Sequence, residues 1–197
     1  MSLKRSIVTG GIGFSLVSLC VFATVTFAQR SMYDRLGVTG AYIAWMILFM
    51  LLGGIALFPL VVGKRRLLRF YAMFGAAFFM YGISWMAAYF AFNRGAGEWL
   101  GSFAGSVSMA LVFAAGFRVM RTAPLLAAIL FVANSVGYFL GSVFYYTYGR
   151  PGGLLLWGAF YGLCLGAGLG AVLYIAQSDR ASRSLPEEKI RISDEQG

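Results

Sequence analysis

Charged side chains divide this 197-residue chain into long uncharged runs. No Asp, Glu, Lys or Arg occurs within six runs of 19 to 28 residues: 6–29, 36–63, 70–93, 99–117, 122–149 and 151–178. A helix crosses a hydrocarbon core about 30 Å thick with roughly 20 apolar residues. The pattern therefore predicts six transmembrane helices, at about 6–28, 41–62, 70–92, 99–117, 123–147 and 153–177.

The composition agrees with this interpretation, since 60% of the residues are hydrophobic and only 12% are charged. Backbone polar groups in lipid must bond within the protein, and long continuous apolar runs achieve this only as helices. A transmembrane barrel would show short segments of strict alternation. We therefore predict an all-α, polytopic integral membrane protein with the lipid bilayer as its main partner.

The six predicted helices pair into three helical hairpins, and the outer turns of the second and third resemble each other. Both turns follow an aromatic-rich helix end with an arginine, a glycine-containing turn and a Gly-x-Phe-x-Gly pattern. Arg94 then corresponds to Arg150, and Gly101 to Gly158. A duplicated two-helix unit is therefore expected, as in many transporter folds.

Glycines recur at intervals of four within the predicted helices. Small residues let helix backbones approach closely in lipid, where hydrophobic drive between helices is weak. These positions are therefore predicted to be helix-packing sites, with a glycine-lined substrate passage as the alternative. They are Gly101, Gly105, Gly137, Gly141, Gly158, Gly162, Gly166 and Gly170.

The basic residues predict the orientation of the chain in the membrane. With the N-terminus inside, twelve of the sixteen Lys and Arg residues fall on the inner side and four on the outer side. Because positive loops stay in the cytoplasm, we expect both termini inside a bacterial-type inner membrane. Residues 1–28 also resemble a secretory signal peptide, and their removal would leave five helices. The polar segment 179–197 is expected to be a mobile cytoplasmic tail.

Several kinds of chemistry lack their usual residues. Histidine is absent and no Asp, Glu, Lys or Arg lies deep in a predicted helix. Catalytic triads, histidine-based metal sites and proton relays therefore lack their usual groups. We therefore expect no enzyme activity, no cofactor and no metal. We also expect no nucleic-acid partner, because the net charge of +9 mainly reflects the orientation of the chain in the membrane.

Two groups of residues are candidate ligand sites. Asn134 is the only amide well inside a predicted helix, so it is expected to pair with a neighbouring helix or to contact a ligand, with Tyr138 nearby. Arg30, Arg94 and Arg150 each follow an odd-numbered helix at the outer face. They are expected either to interact with lipid headgroups or to form an outward-facing anion site.

Aromatic side chains near the outer turns are expected to form an interfacial belt, or to line a pocket for a flat apolar molecule. Pro59 near the inner end of the second predicted helix, preceded by Gly53 and Gly54, is a candidate hinge. Together these features favour a non-enzymatic protein that binds or translocates a small apolar or anionic molecule. The alternative is a structural or accessory subunit of a larger membrane complex, and homo-oligomers fit either function.

Overall fold

The computed structural model describes the backbone of residues 2–61, 66–92 and 95–195, and side chains within these ranges except those of Arg66 and residues 183–195. The described chain is helical throughout and contains no strand. Its long helices are α1 (Leu3–Leu57), α2 (Arg66–Phe92), α3 (Ala96–Phe117), α4 (Ala123–Tyr148) and α5 (Gly152–Glu195). Short 3₁₀ turns at Phe58–Leu60 and Met120–Thr122 follow α1 and α3.

Five helices are long and apolar enough to cross a membrane among the residues that the structure describes. Helices of this length and apolarity indicate a membrane protein. The sequence predicts six, and the difference lies in α1, which covers the first two predicted helices as one element. The single non-helical residue inside α1 is Gly37, with φ 67° and ψ 174°. Only glycine adopts this backbone conformation readily.

Contacts within α1 show that its second half folds back along its first half. The rings of Phe14 and Phe49 lie 6.0 Å apart, centroid to centroid. A methyl group built on Gly13 would lie 3.4 Å from Cβ of Ala56. In an unbroken helix, residues 14 and 49 would be roughly 50 Å apart at 1.5 Å per residue. The chain therefore reverses at Gly37.

The helices pack side by side in a closed order. The first half of α1 contacts α5, α5 contacts α4, α4 contacts α3, and α3 contacts α2. The second half of α1 meets α2 through Gly53 against Phe74 and Gly54 against Tyr71. A main core of buried apolar side chains fills the bundle, and a second cluster forms between the outer parts of the two halves of α1, around Val21, Ala41 and Trp45.

The inner end of α1 is set by Pro59. The helix ends at Leu57, and Pro59 lies in the following 3₁₀ turn. Gly53 and Gly54 keep helical backbone geometry and provide space for aromatic rings. A methyl group on Gly53 would lie 2.8 Å from Cε2 of Phe14. The hinge function of these three residues stays a prediction.

The last helix extends beyond the predicted apolar run. α5 continues through the polar segment to Glu195. At the start of that segment, the hydroxyl of Thr122 donates a 2.6 Å hydrogen bond to Oδ2 of Asp179. The side-chain amide of Gln177 donates to the carbonyl oxygen of Leu60 at 3.0 Å. These bonds join α5 to both 3₁₀ turns; the mobility of the tail stays a prediction.

Candidate functional site

Asn134 lies at the centre of a hydrogen-bonded cluster inside the bundle. Its side chain is 0% exposed. Its Oδ1 accepts hydrogen bonds from the hydroxyls of Tyr81 at 2.7 Å and Tyr161 at 3.1 Å. Its Nδ2 donates to Oγ of Ser102 at 2.7 Å. One amide thus links α4 to α2, α5 and α3, which satisfies a polar group that would be costly to bury unpaired.

Ser135 belongs to the same cluster, although adjacent residues of a helix point in different directions. Its Oγ lies 2.7 Å from Oγ of Ser102, which therefore contacts both Asn134 and Ser135. Ser102 sits between the two side chains because α3 packs against that edge of α4. The sequence analysis did not identify Ser102.

Glycines allow the two tyrosines to reach Asn134. A methyl group on Gly105 of α3 would lie 2.7 Å from Cδ2 of Tyr81. A methyl group on Gly137 of α4 would lie 3.1 Å from Cα of Tyr161. Larger residues at these positions would separate α3 from α2 and α4 from α5. These two glycines therefore set the distances on which the cluster depends.

A row of aromatic side chains lies beside this cluster, on the side of the outer turns. It consists of Phe22, Trp157, Tyr138 and Trp85, from α1, α5, α4 and α2. Successive ring centroids are 6.2, 5.6 and 6.1 Å apart. Because α3 lies between α2 and α4, the contact between Trp85 and Tyr138 crosses the interior of the bundle. We call these four residues the aromatic row.

The aromatic row faces inward but is not fully covered. All four side chains are only half-buried. The aromatic side chains in the inner half of the core are more deeply buried. Phe14, Phe70 and Phe74 are completely or almost completely buried. These three rings are thus covered on all sides, whereas each ring of the aromatic row keeps part of its surface accessible.

The candidate arginines occupy a separate place at the outer end. Arg30 and Arg150 line a cavity of about 330 Å³ together with Gln29, Tyr33 and Asp34, and with Thr26 and Phe27. One guanidinium N–H of Arg150 donates a 2.8 Å hydrogen bond to Oε1 of Gln29. Gln29 in turn donates from Nε2 to the hydroxyl of Tyr33 at 2.9 Å. The third predicted arginine, Arg94, lies outside the described residues. We call this cavity the outer groove.

The structure therefore separates the predicted site residues into two places. Asn134 and Tyr138 lie in the interior, and Arg30 and Arg150 lie in the outer groove. Sequence reasoning missed Tyr81 and Tyr161, which look like any other aromatic residue of a membrane helix. The position of these two tyrosines in the middle of predicted helices could have identified them, since tyrosines of an interfacial belt lie near helix ends. The ring of Trp157, which lies near an outer turn, contacts Tyr138 between α5 and α4, and its place in an interfacial belt or a pocket stays a prediction.

Both places differ from metal centres in the residues that they contain. Within the described residues, no group of three His, Cys, Asp or Glu side chains could hold a metal ion. The polar atoms of the interior cluster are hydroxyls and one amide. These groups bind by hydrogen bonding and do not exchange protons near neutral pH. Comparison with models of known families, with curated proteins and with solved structures gives no match.

Proposed function

We propose that this protein is a non-enzymatic, multi-pass protein of the cytoplasmic membrane with six transmembrane helices and both termini inside. The reversal of α1 at Gly37 supports six crossings, because each half is as long as a membrane span. The excess of basic residues in the inner segments supports this orientation. The similar outer turns support a duplicated hairpin.

We further propose that the protein binds a small apolar molecule at the aromatic row, as a transporter-like protein would. The observation that carries this proposal is that Phe22, Trp157, Tyr138 and Trp85 contact one another across four helices yet stay half-buried. Ligand sites are mostly apolar and aromatic, with a few polar groups that fix orientation. The hydroxyls of Tyr81 and Tyr161 lie beside the aromatic row and are the polar groups that would fix the orientation of a ligand.

Binding of a neutral apolar fluorophore, N-phenyl-1-naphthylamine, tests this proposal on the detergent-purified protein. Trp85→Leu and Tyr138→Leu remove rings but keep apolar side chains. Each aromatic contact contributes about 0.5–1.5 kcal/mol beyond area burial, so affinity should fall by about 2- to 10-fold. Tyr146→Leu is the matched control, because Tyr146 is 84% exposed and lies outside the row. Equal affinity of all four proteins would contradict the proposal.

A second candidate function is supported by the cluster around Asn134. Its amide oxygen and nitrogen both have protein partners, so the cluster holds four helices together without a ligand. A rigid bundle of this kind suits a structural or accessory subunit of a larger membrane complex. Purification in mild detergent separates the two functions. A stoichiometric protein partner with no bound fluorophore would favour the subunit.

A further inference from the structure

The outer groove carries charges of both signs at the end of an apolar helix. Arg30 and Arg150 supply two cations and Asp34 one anion. Arg30 follows the uncharged run 6–29, and Arg150 precedes the run 151–178. The groove therefore lies where the apolar part of each helix meets its first charge, which is the level of lipid headgroups in a membrane protein.

Hydrogen bonds hold part of the groove in place before any ligand binds. Gln29 joins the guanidinium of Arg150 to the hydroxyl of Tyr33, although Arg150 is 121 positions away in the chain. Arg150 uses one of its five N–H groups in this contact. The hydroxyl of Tyr33 accepts the hydrogen bond from Gln29 and also contacts the hydroxyl of Tyr42. The array thus presents donors from two distant segments to one space.

The charges of the groove are not consumed by each other. Arg30 and Asp34 are four residues apart on α1, a spacing that favours local ion pairs on helices. Within the described part of the chain, however, they form no ion pair, and no hydrogen bond involves the Arg30 guanidinium. Both line the same cavity, so its cationic and anionic groups are free to meet a ligand that carries both charges.

We infer that the outer groove binds the headgroup of a phospholipid with a primary amine, such as phosphatidylethanolamine. Its phosphate would lie against Arg30 and Arg150, since guanidinium groups match phosphate geometry. Its ammonium group would lie against Asp34. Its acyl chains would extend along the lipid-facing side of α1, where Phe27 is 72% exposed beside the groove. A cavity of about 330 Å³ is at the small end of the range for ligand sites, in keeping with a headgroup alone.

This inference does not rest on the aromatic row, and its test uses a different ligand. The detergent-purified protein is mixed with equal amounts of phosphatidylethanolamine, phosphatidylcholine and phosphatidylglycerol with identical acyl chains. Native mass spectrometry then counts the bound lipids. We expect phosphatidylethanolamine to be retained about fivefold over the other two lipids, because only it offers both a phosphate and ammonium N–H donors.

Variants of the charged residues separate the two halves of the headgroup. Arg150→Gln should lower retention of all three lipids about fivefold, because it removes a phosphate contact. Asp34→Asn should lower retention of phosphatidylethanolamine to the level of phosphatidylglycerol and leave retention of phosphatidylglycerol and phosphatidylcholine unchanged. Arg35→Gln is the matched control, since Arg35 is exposed on the same helix but does not line the groove.

Three results would overturn the inference. Equal retention of the three lipids by the unaltered protein would mean that no headgroup is recognised. An equal loss in Arg35→Gln and Arg150→Gln would mean that only general charge attracts lipids. Displacement of the lipid by inorganic phosphate as effectively as by O-phosphoethanolamine would assign the groove to free phosphate. The last comparison needs no variant, so it also holds if a substitution prevents folding.

Discussion

The interface between α1 and α5 yields the sharpest prediction, because it consists of backbone against backbone. Gly166 of α5 faces Gly10 of α1, and a methyl group on Gly166 would overlap the carbonyl oxygen of Gly10 and lie 2.5 Å from Cβ of Phe14. None of these atoms can rotate away. Because ordinary contacts begin near 3.4 Å, Gly166→Ala requires α1 and α5 to separate by about 1 Å.

The energetic cost of that separation follows from packing. Overpacking of a well-filled interior costs about 1–3 kcal/mol. At about 2–4 °C per kcal/mol for a chain of this size, Gly166→Ala should lower the melting temperature by about 2–12 °C. Gly82→Ala is the matched control, because a methyl group on helical Gly82 would meet nothing within 4 Å. Helix propensity makes that change neutral or slightly stabilising.

Thermal unfolding in a single detergent, followed by circular dichroism, measures both effects. The double variant Gly10→Ala/Gly166→Ala adds a second test. A methyl group on Gly10 would overlap the carbonyl oxygen of Gly166, so both substitutions force the same separation. Their combined effect should therefore be smaller than the sum of the two single effects. Equal melting temperatures for Gly166→Ala and Gly82→Ala would refute the contact between α1 and α5.

Three further predictions test other parts of the structure. In a background without native cysteines, Gly13→Cys and Ala56→Cys should form an intramolecular disulfide on oxidation, which gel mobility detects. Their Cβ atoms would lie 3.4 Å apart, and the Cβ atoms of a disulfide are about 3.5–4.5 Å apart. Lack of a disulfide would mean that α1 does not fold back. Gly37→Val should reduce the yield of that disulfide, since valine resists the φ of 67° at this position. Asn134→Leu should lower the free energy of unfolding by about 1–2 kcal/mol, because it leaves buried hydroxyls unpaired. Tyr81→Phe should lower the free energy of unfolding by less. A larger decrease in Tyr81→Phe than in Asn134→Leu would contradict the central position of Asn134.

The long helices could be predicted from the sequence because charge is excluded from lipid. The uncharged runs 70–93, 99–117 and 122–149 coincide with α2, α3 and α4. Gly37 could not be located in this way. The segment between residues 29 and 41 contains Arg30, Asp34 and Arg35, which suggested a loop. In the structure the helix continues past these charges to the reversal at Gly37, since charged side chains do not interrupt the hydrogen bonds of a helical backbone.

The partners of the small residues could not be predicted, because a glycine pattern shows where a helix is smooth and not what lies against it. Gly101 and Gly158 correspond in the proposed duplication, yet their neighbours differ. Gly101 lies against Trp85 of α2, the other helix of its own hairpin, and Gly158 lies against Phe22 of α1. The cluster around Asn134 could not be predicted either, because the sequence does not show which side chains lie against each other. The partners Tyr81 and Tyr161 are 53 and 27 positions away in the chain.

The aromatic residues of the bundle differ in type between its two halves. Near the outer turns the interior rings belong mainly to tryptophan and tyrosine. At the inner half they are phenylalanines in mutual contact, with Phe14 6.1 Å from Phe78 and Phe70 5.6 Å from Phe74. Gly53 and Gly166 lie against Phe14 so closely that even a methyl group would not fit.

The core is therefore closely packed around the ring of Phe14, which is completely buried. That ring lies against Phe49 and Gly53 of the second half of α1 and against Phe78 of α2. The glycines at this interface allow the close contact, and their lack of side chains leaves little to interlock when one helix slides past the other. Gly166→Ala is therefore expected to disturb both the contact between α1 and α5 and the packing around Phe14.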